Sequence, residues 1–155
     1  MTTLRSHCGA FRVRTILGLL AAILVVGTLS AASSGAAASS ARRGALHVTK
    51  ECSEYTGQAD SFCTITSSNL KAIKVGSRVV YLQAAGATSL DSDIVLVVGP
   101  GNYALGHVRL DFTTGTGVVR IWGGVGDFRD FHSKAAVSYL DGPNWAWDGK
   151  YHFDD

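Results

Sequence analysis

The chain has 155 residues, a length that predicts one domain. Its 14 basic and 12 acidic residues give a formal net charge of +2, but five of the basic residues and none of the acidic ones precede residue 45. From Ala45 onward 9 basic residues stand against 12 acidic ones, so this part carries a net charge of −3. It lacks the excess of positive charge that a nucleic-acid-binding protein needs, and we expect no nucleic-acid partner.

The first 44 residues have the pattern of a targeting segment. Three arginines precede the apolar run Ile16–Leu29, and small residues follow it. This order is typical of a secretory signal, and the run is shorter than the ~20 residues that a helix needs to span a bilayer. We predict a signal peptide over residues 1–32, an Ala/Ser-rich linker or cleavage region over 33–44, and a secreted domain over 45–155. The alternative is an uncleaved leader that tethers the protein to a membrane; after cleavage we expect no membrane association.

The cysteine content after the leader agrees with export. Cys52 and Cys63 remain as a pair, separated by a polar, turn-rich segment that can loop back. A disulfide closing such a short loop stabilises the fold by roughly 3 kcal/mol in the chain-entropy model. A metal site would require further Cys or His at short spacing, and the histidines are scattered. We predict a Cys52–Cys63 disulfide, no metal and no cofactor.

The sequence after Ala45 predicts strands. Short runs of β-branched and aromatic residues alternate with Gly, Asn, Asp and Pro, and no helical periodicity is present. Asp91 and Ser92 are expected to cap a turn. Eight strands joined by short connections predict antiparallel pairing, in either a closed barrel or a β-sandwich. The predicted strands are Leu46–Lys50, Phe62–Ser68, Arg78–Ala85, Asp93–Val98, Tyr103–Phe112, Val118–Trp122, Phe131–Leu140 and Trp145–Phe153.

Two of these strands carry large apolar groups on both faces. In Val79–Leu82 and Ile94–Val98 one face must point outward from a barrel, and an exposed apolar face favours association. We therefore expect a homo-oligomer. The alternative is that the C-terminal segment or the loop between the cysteines covers this face.

The stretch Leu110–Ser138 resembles the allene-oxide-cyclase-like and dirigent-like β-barrel superfamily. Its segment Gly123–Phe128, GGVGDF, is similar to that group's glycine-rich hairpin G-G-T-G-x-F, and Trp145–Tyr151 looks like the last strand of small secreted bacterial members. The resemblance implies an eight-stranded antiparallel barrel with an apolar cavity, often trimeric. Val125 stands in place of the usual Thr, and Asp130-Phe131-His132 stands where dirigent proteins have Ala-Arg-Gly.

The superfamily includes plant cyclases that act on an unsaturated fatty-acid epoxide. It also includes dirigent proteins, which steer the coupling of phenoxy radicals without oxidising anything themselves. No position of this chain matches the catalytic residues of the cyclases. The resemblance therefore extends to the fold and not to the chemistry.

The aromatic residues are the best indication of a binding site. Alternation places Trp145 and Trp147 on one face, where Tyr81 and Trp122 can join them, as the wall of a small-molecule pocket or as ordinary core. Polar residues that alternate with apolar neighbours are expected mostly to face solvent, but a strand turning them inward would create a polar pocket. The candidate ligand-binding residues are Tyr81, Arg109, Asp111, Arg120, Trp122, His132, Trp145 and Trp147.

The function expected from these observations is that of a secreted barrel that binds an apolar or phenolic small molecule, in the manner of a dirigent protein and without catalysis. One alternative is a surface interaction protein without a small-molecule site. Another is an isomerase or cyclase acting on a lipid-like substrate, which requires a buried ionisable group with a shifted pKa. The sequence assigns no catalytic residue.

Overall fold

The computed structural model describes residues 42–154, which form a closed antiparallel barrel of eight strands. Each strand pairs with the next, and the last pairs with the first, so the sheet has no free edge. The predicted all-β class and the barrel are confirmed, and the sandwich alternative is excluded. The strands are β1 (Arg43–Glu51), β2 (Phe62–Ser68), β3 (Arg78–Tyr81), β4 (Ser89–Gly99), β5 (Asn102–Asp111), β6 (Thr116–Val125), β7 (Phe131–Tyr139) and β8 (Asn144–Phe153).

The predicted signal peptide at 1–32 and residues 33–41 of the predicted linker lie outside the described residues. β1 begins at Arg43, two residues before the expected start of the domain. Arg43 and Gly44 pair with His152 and Tyr151 on β8, so they are part of the barrel wall. No helix within residues 42–154 is long and apolar enough to cross a membrane.

Alternation of the side chains fills the interior of the barrel. On β1, Leu46, Val48 and Lys50 point inward and are buried, while Ala45 and His47 on the opposite face are exposed. The same period of two runs through the other strands and gives one continuous core. Burying each large apolar side chain of this core contributes about 1.5–3 kcal/mol. Lys50 is therefore held in an apolar interior by the register of its strand.

The bounds of β3 and β4 differ from those predicted. β3 ends at Tyr81, so Leu82–Ala85 belong to a connection. β4 begins at Ser89 and includes Asp91 and Ser92, which therefore do not cap a turn. The strand tolerates its aspartates because they point outward, where Asp91 lies opposite Arg109 of β5 and forms an ion pair with it at 3.1 Å.

The glycine-rich segment is used partly as strand and partly as turn. Gly123–Val125 still belong to β6, and the turn is a short 3-10 helix at Gly126–Phe128. A Cβ on Gly124 would lie 2.1 Å from the carbonyl oxygen of Tyr103, so only glycine allows this close approach of β5 and β6. Gly126 has a positive φ of 69°. Phe128 is fully buried, and its ring centroid lies 5.4 Å from that of Phe131, as expected for the anchor of this hairpin.

Candidate functional site

A disulfide joins Cys52 and Cys63, as predicted, and closes one end of the barrel. It links the end of β1 to the start of β2 and holds the segment 53–61 between them. The backbone N–H of Cys52 donates to the carbonyl oxygen of Pro143, and the N–H of Ala85 donates to that of Gly57. These bonds join the disulfide-closed segment to the connection between β7 and β8 and to the connection between β3 and β4. We call this end the disulfide end.

Lys50 lies directly beneath the disulfide. Its side chain is only 3% exposed, and its Nζ donates a hydrogen bond of 2.7 Å to Oη of Tyr81. Nζ also lies 3.4 Å from Sγ of Cys52 and 3.5 Å from Sγ of Cys63. Among residues 42–154 no carboxylate forms an ion pair with this amine. A buried ammonium without a counter-charge is costly, because neither water nor an anion compensates its charge.

Aromatic rings enclose the amine. Nζ of Lys50 lies 5.4 Å from the ring centroid of Tyr81 and 5.8 Å from those of Trp145 and Trp147. The ring of Tyr55 packs edge-on against Tyr81, with centroids 4.9 Å apart. Nζ meets Tyr81 at its hydroxyl and not over the face of its ring. The two tryptophan distances are within the range of cation–π attraction, which offsets part of the desolvation cost when the amine is charged. We call these five residues, together with the disulfide, the Lys50 cluster.

Burial changes the proton affinities of the cluster. Desolvation lowers the pKa of Lys50 from 10.5 to about 7, because the charged form loses its hydration. Burial, and secondly the proximity of Tyr55, raise the pKa of Tyr81 above its usual value of 10.0, and burial also raises that of Tyr55. Near neutral pH the tyrosines are therefore protonated, while Lys50 exchanges between an amine and an ammonium. A neutral lysine amine can act as a base or a nucleophile.

Two further polar groups of the cluster lack partners. Oη of Tyr55 and Nε1 of Trp147 are buried and make no hydrogen bond among the described residues. Each such unsatisfied group costs about 1–3 kcal/mol. The cluster thus contains hydrogen-bond donors on Lys50, Tyr55 and Trp147 within one aromatic enclosure.

The predicted ligand-binding residues divide into two groups. Tyr81, Trp145 and Trp147 belong to the Lys50 cluster. The other five lie on the outer wall of the barrel and do not reach it, because their apolar neighbours, such as Val108 and Ile121, occupy the interior positions of the same strands. The residues on the outer wall are Arg109, Asp111, Arg120, Trp122 and His132.

Three of these outer residues line one concavity. Arg109, Arg120 and Trp122, together with His107 and Val118, surround a volume of about 420 Å³ on the wall formed by β5 and β6. Concavities of about 740 Å³ and 470 Å³ lie where β1 begins and β8 ends, away from the disulfide end. None of these three concavities includes a residue of the Lys50 cluster.

Asp111 and His132 have local roles on the surface. The carboxylate of Asp111 accepts hydrogen bonds from the hydroxyl and the backbone N–H of Thr113, and these bonds lower its pKa. It therefore stabilises the turn between β5 and β6. The ring of His132 stacks on that of His152 at 5.1 Å, and its Nε2 lies 2.9 Å from a carboxylate oxygen of Asp154. Within residues 42–154 no three His, Cys, Asp or Glu side chains converge as a metal site would require.

Lys50 is the residue that sequence reasoning missed. Charged residues are almost never fully buried unless they are paired, so a lysine is normally assigned to solvent. The alternation along β1 indicates that Lys50 points inward, because Lys50 continues the inward series of Leu46 and Val48. The half-buried Cys52 follows two residues later. An inward lysine next to a disulfide cysteine is unusual enough to be singled out.

No protein-family model matches the chain, and comparisons with curated proteins and with solved structures give no significant match.

Proposed function

We propose that the protein binds a small apolar or phenolic molecule in the Lys50 cluster, at the disulfide end of the barrel, without changing it chemically. The observation that supports this best is the buried amine of Lys50, which bonds one oxygen and the two disulfide sulfurs, has no carboxylate partner among the described residues and has three aromatic rings within 6 Å. Such a group destabilises the barrel without a ligand, and an acceptor group of a ligand would compensate it.

The chemistry of the cluster defines the ligand class. Aromatic side chains such as Tyr81 and Trp145 provide flat apolar contacts, which suit an aromatic ring or a short hydrocarbon chain. Lys50 and Trp147 offer N–H donors, which suit a carboxylate, phenolate or carbonyl oxygen. The expected ligand is a molecule with an apolar body and one acceptor group at its end. An anionic acceptor would also pair with the ammonium form of Lys50.

Titration with a matched pair of probes tests this proposal. Cinnamic acid and cinnamyl alcohol have the same ring and chain and differ in the terminal group. In a Trp122→Phe background the tryptophan fluorescence reports only Trp145 and Trp147. We expect the acid to bind about tenfold more tightly than the alcohol, and Lys50→Met to remove this preference.

The control for this titration is Lys134→Met, which removes a lysine from the outer wall and should leave the affinity for the acid unchanged. Equal binding of the acid by wild type and Lys50→Met would contradict the proposal. So would loss of binding in Lys134→Met alone, because it would place the probe on the outside of the barrel.

A proton-transfer enzyme is a second candidate, favoured by the pKa of Lys50 near 7. The neutral amine would remove a proton from the carbon next to a carbonyl group and return it at the far end of the adjacent double bond. Atoms and charge balance without a cofactor. Turnover of a β,γ-unsaturated ketone that is lost in Lys50→Met would favour this candidate; an unchanged ketone would favour simple binding.

Export, self-association and family membership are parts of the same proposal. The leader pattern and the disulfide support secretion. Val97, Leu105 and Val125 support a homo-oligomer, because each is 38–41% exposed on neighbouring strands. β8 lies in the barrel wall and the segment 53–61 lies at the disulfide end, so neither covers this face. The barrel fold is consistent with the allene-oxide-cyclase-like superfamily, in which trimers are common.

A further inference from the structure

The outer wall carries a row of cations, although the chain from Ala45 onward has a net negative charge. Arg120 on β6 lies opposite Lys134 on β7, which lies opposite Lys150 on β8. All three side chains are exposed, and none forms an ion pair within the described residues. Like charges directly opposite each other on neighbouring strands are destabilising. We call Arg120, Lys134 and Lys150 the basic row.

The acidic residues near the row are engaged elsewhere. Asp148 accepts a hydrogen bond of 2.7 Å from His47, on the β1 side of β8. Asp91 lies 3.1 Å from Arg109 and 2.8 Å from His107. Asp154 lies within 3.4 Å of the stacked imidazoles of His132 and His152. Asp91 and Asp111 line one concavity with Arg120 and Lys134, but within the described residues no carboxylate forms an ion pair with the basic row, so the row can bind an external anion.

An exposed aromatic ring lies two residues from Arg120, on the same outward face of β6. Trp122 is 49% exposed and shares the 420 Å³ concavity with Arg120. The ladder between β5 and β6 is irregular here, because Leu105 pairs with Gly123 and Gly106 pairs with Ile121, so Trp122 has no partner on β5. A flat apolar ring next to a guanidinium can take the apolar face of a sugar while the guanidinium binds its carboxylate.

We propose that the basic row and Trp122 form a binding site for an acidic polysaccharide that carries one carboxylate per sugar. Neighbouring strands are about 4.8 Å apart, so the row offers one cation at each such interval. A chain of uronic acids laid across the three strands presents its carboxylates at a comparable interval. Proteins that bind single-stranded nucleic acid stack successive bases on several aromatic side chains. The one exposed tryptophan at this site therefore favours a sugar polymer.

This site is independent of the Lys50 cluster, because the basic row faces outward from the barrel wall and the cluster lies inside it. The experiment uses the whole chain with its disulfide formed. Binding of oligogalacturonate is compared with binding of its methyl ester, which has the same sugars without the charges. We expect binding of the acid only, and an affinity that falls about tenfold between about 50 and about 200 mM salt.

Matched variants locate the site. The triple variant Arg120→Gln, Lys134→Gln and Lys150→Gln should lose at least about tenfold in affinity. The control triple Lys71→Gln, Lys74→Gln and Arg129→Gln makes the same change of charge elsewhere on the surface and should bind like wild type. Trp122→Ala, which keeps every charge, should weaken binding severalfold, and Trp122→Phe should restore most of it.

Three results would overturn the proposal. One is equal loss of affinity in both triple variants, because binding would then follow total charge and not the basic row. Another is equal affinity for oligogalacturonate and its methyl ester, or the absence of binding to both. The third is tighter binding of oligothymidylate or of phosphatidylglycerol vesicles than of oligogalacturonate, which would assign the row to a nucleic acid or to a lipid surface.

Discussion

Lys50 shows how one side chain can determine the chemistry of a barrel interior. The register of β1 turns it inward, and the aromatic residues around it replace water without supplying a negative charge. The sequence named Tyr81, Trp145 and Trp147 as candidate ligand-binding residues, and the structure brings these three together around Lys50. Their role in binding stays a prediction. The sequence did not single out Lys50, because the cost of burying a lysine argues against such a position.

The lowered pKa of Lys50 predicts that stability depends on pH. Between about pH 7 and about pH 10 the unfolded chain keeps a proton on this lysine that the folded chain releases. The unfolded state binds more protons in this window, so the free energy of unfolding rises with pH, by on the order of 3 kcal/mol. Above about pH 10 the raised pKa of Tyr81 has the opposite effect. The unfolded chain then loses the phenol proton first, so the free energy of unfolding falls as the pH rises.

Urea unfolding at a series of pH values measures this effect. In Lys50→Met the rise between about pH 7 and about pH 10 should disappear, and at pH 6 the variant should be more stable than wild type by roughly 1–4 kcal/mol. Lys134→Met serves as the control and should keep the rise. A wild-type curve that is flat across this window would show that Lys50 is not desolvated.

At the scale of the elements, strand existence was easier to predict than strand length. β2 was predicted to the residue, while β4 and β6 are longer than expected. Several of their extra residues are aspartate or glycine, which have low intrinsic strand preference and are held in the sheet by partners on the next strand. Asp91 is paired by Arg109, and Gly124 allows the close approach of Tyr103. Such cross-strand causes are invisible in one segment of sequence.

The disulfide-closed segment should act as the cover of the Lys50 cluster. Replacing both Cys52 and Cys63 by alanine should lower the free energy of unfolding by roughly 3 kcal/mol, through loss of the loop constraint. It should also make Lys50 reactive toward a small amine-labelling reagent such as acetic anhydride, read by peptide mass spectrometry. In the folded wild type Lys50 should stay unlabelled while Lys134 is labelled. Equal labelling of Lys50 in both proteins would contradict this role of the segment.

On the scale of the whole molecule, the barrel has two chemically different outer faces. An apolar face on β3–β6 includes Val97, Leu105 and Val125, and a basic face on β6–β8 includes the three residues of the basic row. The formal charge of −3 after Ala45 led to the expectation of no basic footprint. A net charge does not show how charges are distributed over the surface. Strand pairing brings together cations that are far apart in sequence, and these form the basic face.

The apolar face predicts self-association. Wild type should run as an oligomer in light scattering coupled to size exclusion, and Leu105→Lys should shift it to the monomer without lowering the thermal midpoint of the monomeric barrel. Lys134→Glu, on the other face, is the control and should leave the oligomer intact. A monomeric wild type at micromolar concentration would refute the inference from exposed apolar residues.

Native mass spectrometry of the protein incubated with cinnamic acid shows whether the Lys50 cluster holds a ligand. We expect one retained ligand mass per barrel in wild type, released on unfolding, and none in Lys50→Met. Wild-type protein that stays free of ligand, or a Lys50→Met variant that retains it equally, would contradict the claim that the Lys50 cluster is a binding site.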